Sequence, residues 1–364
     1  MIRVLQVYPQ LNNAGTEMVI MNLYKNIEKN KVQFDFLVEK KGELDDIIRN
    51  MGGRIYYLKS PNKKLYYKAL NSFFHEHKEY SIVHTHTHRN MGYVLKAAKK
   101  NGVTIRIAHS HNARVNLPKI VYLYKKITSR IIEKNATDFF ACSSIAAKWL
   151  FPHKYSQAKI VYNAIELEKF YFQTSSRQKI RDELGLNENH KLICHVGRFA
   201  KQKNHNKIID IANELLKNHD DTFFALVGEG PLLVEIKDKA KRLNIEDKIF
   251  FLGNRTDVNS IMSASDLFLF PSLHEGLGIV LIEAQTSGLD CITSEMVPSE
   301  ADLKLGLFTK KKLSDNVLEW VNTINGKLIK KNNRNNFSKR AILSNYDISK
   351  VATKVQKFYE KGVW

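Results

Sequence analysis

Short apolar runs alternate with helix-forming stretches along nearly the whole of this chain. That alternation leaves few folds open beyond parallel sheets built from strand-helix-strand units. In the first half the runs fall near residues 2–8, 33–38, 54–58, 81–85, 104–109, 138–142 and 159–162. Residues 163–189 lose the pattern, are polar, and read as a linker. A second series follows near 192–197, 222–228, 248–252, 266–270 and 290–293, and beyond about residue 337 the chain is helical and amphipathic. The expected architecture is α/β, with two doubly wound parallel-sheet domains facing a cleft. Residues 1–165 form the first domain, 166–190 a linker, 191–336 the second domain, and 337–364 C-terminal helices that pack back across the domains. Open parallel sheets bind ligands beyond the carboxyl ends of their strands, so those ends are the candidate sites.

Length and composition agree with two ordinary cores: 364 residues, 43% hydrophobic and 26% charged, too apolar for a disordered chain. Cys142, Cys194 and Cys291 are far apart, fit no metal-ligand spacing and sit in apolar runs, so they read as reduced core thiols. The first residues enter a strand without a charged leader, and no apolar stretch approaches the roughly 18 residues of a spanning helix, so a cytosolic protein is expected. Of the net charge of +20, residues 1–160 carry 27 basic and 11 acidic side chains and the remainder 30 and 26. The first half therefore faces a polyanion. No zinc-finger spacing, RNP-like aromatic motif or heptad-linked basic region speaks for nucleic acid. In residues 61–68 and 117–127 the basic residues are mixed with Tyr and aliphatics, which suits helices lying on anionic headgroups. An anionic membrane surface is the expected partner, and a solvated basic face is the plain alternative.

The strongest local signal is the run from Pro271 through Ser272, Leu273, His274, Glu275, Gly276, Leu277 and Gly278 into an apolar helix that carries Glu283. A buried strand over 267–270 leads into a glycine turn, and the helix beginning after Gly278 offers free N–H groups and a favourable dipole to a phosphate. Glu283 lies five residues on, about 7.5 Å along the axis, roughly the step from a diphosphate to a ribose whose hydroxyls a carboxylate can accept. Glu275 would point to whatever lies beyond the phosphates. The structural alternative is an internal ion pair for Glu283 and a solvated loop for Glu275. A second cluster, residues 196–204, places Arg198 and Lys203 at the end of the second domain's first strand, where two cations can neutralise a diphosphate without a metal. Both clusters should lie at neighbouring strand ends of one sheet.

With the run from Asp266 to Ser272 leading into this motif, nearly the whole chain resembles the retaining, nucleotide-sugar-dependent glycosyltransferases of the GT-B fold, family 4 (group 1), of the kind found in bacterial capsular and exopolysaccharide synthesis. The two Glu residues separated by seven positions, Glu275 and Glu283, are its most specific mark. The resemblance implies two Rossmann-like domains, the first binding the acceptor and the second the donor. It implies that Glu283 binds the ribose, that Arg198 and Lys203 hold the diphosphate, and that Glu275, with Gly276, Leu277 and Gly278, positions the donor sugar. Ala14, Gly15, Thr16 and Glu17 look like the family's Gly-rich loop facing the donor phosphates. In the run Arg106 to Asn112, His111 best matches the active-site His, with His109 the alternative. Asn254 and Arg255 would flank the base. The implied catalytic set is His111, Glu275, Arg198 and Lys203. Departures from the family pattern are Ala14 for Gly, Leu277 for Phe, Asp290 for Pro, and residues 295–298 where a Gly-Gly turn is usual.

The expected reaction is transfer of a sugar, with retention, from a UDP-linked donor to a lipid-linked saccharide at the inner membrane face, with no metal or other cofactor. A sugar-nucleotide epimerase or phosphorylase, or a non-catalytic sugar-nucleotide or RNA-binding protein, are the alternatives. His84, His86 and His88 would share one strand face and invite a zinc reading, but a polar strand end accounts for them. The run from Gly228 to Pro231 has the wrong spacing for a dinucleotide fingerprint.

Overall fold

The computed structural model describes all residues except 13–14, 61, 88–89, 112–118, 330–333 and 342–344, and the side chains of 119–124 and 338–341 also lie outside the description. The chain forms two compact units, Met1–Ile165 with Asn345–Trp364, and Glu166–Ser344.

The first unit is built on Ile2–Val7 (β1), Val32–Val38 (β2), Ile55–Tyr57 (β3), Ile82–Thr85 (β4), Ile105–Ser110 (β5), Asp138–Ala141 (β6) and Lys159–Ile160 (β7). The strands lie in the order β3-β2-β1-β4-β5-β6-β7, every pair parallel. Alternate side chains feed two cores: Val4, Phe34, Phe36, Ile82 and Ile107 enter one, and Leu5, Val7, Leu37, Val83 and Ala108 the other. Burial on both faces explains why these strands read as continuous apolar runs. The helix Ile348–Lys361 adds Ile348, Val351, Ala352, Val355, Phe358 and Tyr359 to the first of these cores. Each large apolar side chain, when fully buried, contributes roughly 1.5–3 kcal/mol. Asp347 caps this helix through the Ser349 N–H at 2.9 Å, and Gly362 at φ 67° ends it.

The second unit carries Lys191–Val196 (β8), Thr222–Val227 (β9), Ile249–Gly253 (β10), Leu267–Phe270 (β11), Asp290–Ser294 (β12) and Phe308–Lys311 (β13), again all parallel, in the order β10-β9-β8-β11-β12-β13. The winding reverses between β1 and β4 in one sheet and between β8 and β11 in the other, which are the places where open sheets bind ligands. All three cysteines are buried, and none forms a disulfide.

Three expectations change. Residues 166–190 are not a bare linker: they belong to the second unit and contain the helix Thr174–Glu183. It docks by guanidinium groups instead of an apolar stripe. Arg177 donates to Ala264 O at 2.8 Å and to Asp266 at 3.0 Å, and buried Arg181 donates to Ala264 O at 3.0 Å and to His190 O at 2.6 Å. Of the C-terminal helices, Arg334–Ala341 belongs to the second unit and Ile348–Lys361 to the first. Finally, β13 is an edge strand ending in Lys310 and Lys311, whose polar sequence gave no strand signal.

Candidate functional site

The loops leaving β8 and β11 stand side by side because those strands pair, as the two sequence clusters required. Four hydrogen bonds lace them together. Leu273 N donates to Gln202 O at 2.8 Å, Gln202 Nε2 to His274 O at 2.9 Å, Asn204 Nδ2 to Pro271 O at 3.1 Å, and Lys203 Nζ to Glu275 Oε1 at 2.7 Å. Asn204 takes the left-handed conformation at φ 57°, which Asn tolerates better than other side chains, and so turns the β8 loop into the helix His205–Leu216. Gln202 and Asn204 carry no sequence signal as site residues, since both act on loop shape.

Lys203 and Glu275 form an ion pair with side chains 18% and 7% exposed, and the Lys203 ammonium also lies 4.6 Å from the centre of the Phe270 ring. Arg198 is exposed and has no ion-pair partner among the described residues. The second glycine of the turn, Gly278, sits at φ 82° and opens the helix Ile279–Thr286, while Leu277 is buried. Glu283 lies within that helix, partly buried, and no cation or hydrogen-bond donor reaches its carboxylate among the described residues. Burial raises its pKa to about 7. The internal ion pair that would have made Glu283 structural is thus missing among these residues, whereas Glu275 is paired and not a solvated loop residue.

The loop after β9 presses on the β8 loop. Phe199 N donates to Glu229 O at 2.9 Å. A Cβ on Gly230 would stand 2.5 Å from the Phe199 carbonyl oxygen, and one on Gly228, at φ 130°, would run into the Gly197 carbonyl. These glycines therefore serve close backbone approach. Asn254 is exposed just past β10. Arg255, expected with Asn254 beside the base, has its guanidinium held by Glu183 at 2.6 Å and Asp257 at 2.8 Å. Asp290 has a partner in Lys327 at 2.7 Å.

In the first unit, Gly15 opens the helix Gly15–Asn26, and Ala14 lies outside the described residues, as do His88 and Asn112. Gln6, His84 and His109 each follow by two a residue of the core that receives the C-terminal helix (Val4, Ile82, Ile107), so they share that face, and His86 and His111 lie two residues further along. The result is a buried polar cluster. His86 Nδ1 is 2.7 Å from His111 Nε2, and His86 Nε2 is 2.8 Å from Gln6 Oε1. His84 Nδ1 is 2.6 Å from the Tyr359 hydroxyl and His84 Nε2 is 3.1 Å from His109 Nδ1. Burial lowers the pKa of all four imidazoles, that of His111 to about 3, so they are neutral. His84, His86 and His109 bring ring nitrogens within 4.8 Å of one another, a spacing that can hold a metal. Both nitrogens of His84 and of His86 already have hydrogen-bond partners. Gln6 and Tyr359 gave no sequence signal, being 353 positions apart.

The fold has close counterparts. The crystal structure of Anabaena HepE in complex with UDP and glucose matches with a TM-score of 0.82 at 16% identity, over 99% of this chain and 100% of that one. The architecture is GT-B: two Rossmann-like domains with parallel sheets of seven and six strands. Residues 14–169 match the family described as Glycosyltransferase Family 4, and residues 176–344 that described as Glycosyl transferases group 1. EpsF of Bacillus subtilis, named as a glycosyltransferase, is 34% identical over 332 residues, which is 88% of this chain and 86% of that protein. The chain belongs to the group 1, family 4 glycosyltransferases. A UDP-Gal:alpha-D-GlcNAc-diphosphoundecaprenol alpha-1,3-galactosyltransferase of Escherichia coli is 27% identical over 310 residues, 80% of this chain and 78% of that one.

Proposed function

We propose that this glycosyltransferase moves a sugar from a UDP-linked donor to a lipid-linked saccharide, with retention of configuration and without a metal, in cell-surface polysaccharide synthesis. One observation carries the donor half: Arg198, Lys203, the Gly278 helix end and Glu283, which has no partner among the described residues, all follow the two strands at the β8/β11 reversal of one sheet. In this reading Arg198, Lys203 and the helix end neutralise charge that grows on the departing pyrophosphate. The ammonium of Lys203 has three protons, so it can keep Glu275 while donating to a phosphate oxygen. Glu275 is then held beside the donor sugar, and Glu283 accepts from the ribose hydroxyls. Gly15 and Asn254 are assigned to the donor phosphates and the base. His111, in the first unit, is assigned to a sugar hydroxyl.

The relative named for UDP-Gal and a diphosphoundecaprenol-linked acceptor supports the donor and acceptor classes, as does the likeness to a protein crystallised with UDP and glucose. The excess of basic residues in 1–160 supports attachment to the anionic inner face of the membrane. No helix among the described residues is long and apolar enough to cross a membrane.

Thermal melting with UDP-, GDP- and ADP-sugars, with and without chelator, tests the donor: a UDP-sugar is expected to raise Tm by mass action in both conditions. No shift with any sugar nucleotide would remove the site assignment, and an altered donor in the absence of acceptor would indicate an epimerase. Sedimentation with anionic and neutral vesicles tests attachment, and equal binding to both would count against it.

A further inference from the structure

The histidine cluster has an asymmetry that the donor site does not explain. Among the described residues, His111 Nδ1 and His109 Nε2 are buried without a well-formed hydrogen bond, Asn163 being the polar side chain beside His111, while every other ring nitrogen of the four histidines is paired. A carbonyl oxygen can only accept, so the 2.8 Å contact with Gln6 Oε1 requires His86 to carry its proton on Nε2. A neutral imidazole has one N–H, which leaves His86 Nδ1 bare. At 2.7 Å from that bare nitrogen, His111 Nε2 must be the donor. His111 Nδ1 is then an open lone pair.

Reversing the Gln6 amide reverses each of these roles and gives His111 an Nδ1–H instead. Two contacts bear on the choice. The Gln6 amide nitrogen lies 3.5 Å from the Tyr359 hydroxyl, a long contact that leaves the tyrosine proton for His84 Nδ1 at 2.6 Å. Asn163 lies beside His111, with a free Oδ1; its amide can turn to suit either tautomer and selects neither. Among the described residues, His109 also packs its ring on His111, with centroids 4.0 Å apart, and it donates nothing to it.

We propose that Gln6 is a positioning residue: through His86 it holds His111 in the Nε2–H tautomer, so that His111 accepts a hydrogen bond from a sugar hydroxyl and does not offer one. Its relevance to turnover rests on the reading of His111 given above, but its structural content does not. A substrate hydroxyl placed there finds a partner, and a fluorine or methyl ether at the same carbon, which can only accept, does not.

The test uses the full chain labelled with nitrogen-15 histidine, with His111→Gln to assign its signals. Wild type is expected to show His111 protonated on Nε2 alone. Gln6→Glu, whose carboxylate also accepts from His86, should keep that tautomer. Gln6→Leu should give a mixture, with kcat lowered about tenfold and donor KM unchanged, a small share of the loss of about 10⁴ seen where a triad histidine is left in the wrong tautomer. Tyr359→Phe removes the hydroxyl that meets His84 closely and the Gln6 amide nitrogen only at 3.5 Å; with the Gln6 Oε1 contact to His86 intact it should leave the His111 signals in place, and it shows whether disturbing the buried cluster alone moves them. An Nδ1–H signal in the wild type, or a single tautomer with unchanged kcat in Gln6→Leu, would overturn the proposal. The tautomer is read without substrate, so an enzyme inactive on every sugar nucleotide would sink the functional reading and leave this one standing.

Discussion

Lys203 Nζ donates to Glu275 Oε1 at 2.7 Å, although the two residues are 72 positions apart and leave different strands. In the free protein one of the two cations assigned to the pyrophosphate is thus already neutralised by the carboxylate assigned to the sugar. Arg198 has no ion-pair partner among the described residues.

Glu275→Gln releases Lys203 from that pair. UDP is expected to bind several-fold more tightly to the variant while sugar transfer falls, because the cation is freed and the donor sugar no longer meets a carboxylate. Calorimetry with UDP and initial rates measure the two effects; unchanged UDP affinity would mean that Glu275 does not compete for Lys203.

Lys203→Ala leaves a mostly buried carboxylate without its cation, and should lower stability by about 1–3 kcal/mol as well as weaken donor binding. Adding Glu275→Gln should restore most of the stability and none of the affinity. Denaturant melts on the single and double variants separate the structural role from the binding role.

Arg198 makes no intramolecular ion pair among the described residues, so Arg198→Ala should change stability by no more than about 0.5 kcal/mol. Donor affinity should fall about tenfold, a loss of about 1.4 kcal/mol, with a shallower dependence on salt than in wild type. A variant that melts early would place Arg198 in the scaffold.

Glu283 carries a pKa raised by burial to about 7 from 4.5. Across that window the folded state binds more protons than the unfolded state, so the contribution of Glu283 to stability falls as pH rises from 4.5 to 7. Glu283→Gln should match wild type in unfolding free energy near pH 5 and exceed it near pH 8, by about 1–3 kcal/mol. Donor affinity should drop in the same variant. A Tm difference that ignores pH would show that the carboxylate is not buried against its charge.

Gly230→Ala pushes a methyl group against the Phe199 carbonyl and should cost about 2 kcal/mol or more, with donor binding weakened because the β8 loop moves. Gly326→Ala, in the helix Val317–Leu328 with no atom within 4 Å of the added carbon, should stabilise by about 0.5–1 kcal/mol. Thermal melts of the two variants side by side test both.

Strands buried on both faces are legible because their burial leaves an apolar run in the sequence: 2–8 is expected and Ile2–Val7 observed, 266–270 expected and Leu267–Phe270 observed. The helix Thr174–Glu183 is not, since Arg177 and Arg181 dock it through carbonyl oxygens and a guanidinium reads as surface. Lys327 and Arg334 mislead in the same way, since a charged side chain reads as surface. Lys327 pairs with Asp290, and Arg334 donates to the carbonyls of Met262, Ser263, Ser265 and Ser287. Of the donor cluster, residue types and spacing are legible. The Lys203–Glu275 pair is not, because it depends on two loops meeting in space. The Arg255 pairs are not legible either, because a cation after a strand looks alike whether free or held by Glu183 and Asp257.

The helix Ile348–Lys361 completes the core of a unit whose other residues end at Ile165. During synthesis, then, the ribosome must deliver about 190 further residues before Val355, Phe358 and Tyr359 can cover β1 and β2. Domains ordinarily fold in the order they are made. Here the later-made unit can close before the earlier one is finished, and a chain released short of residue 355 would leave its amino-terminal half with an open apolar flank for chaperones or proteases to find.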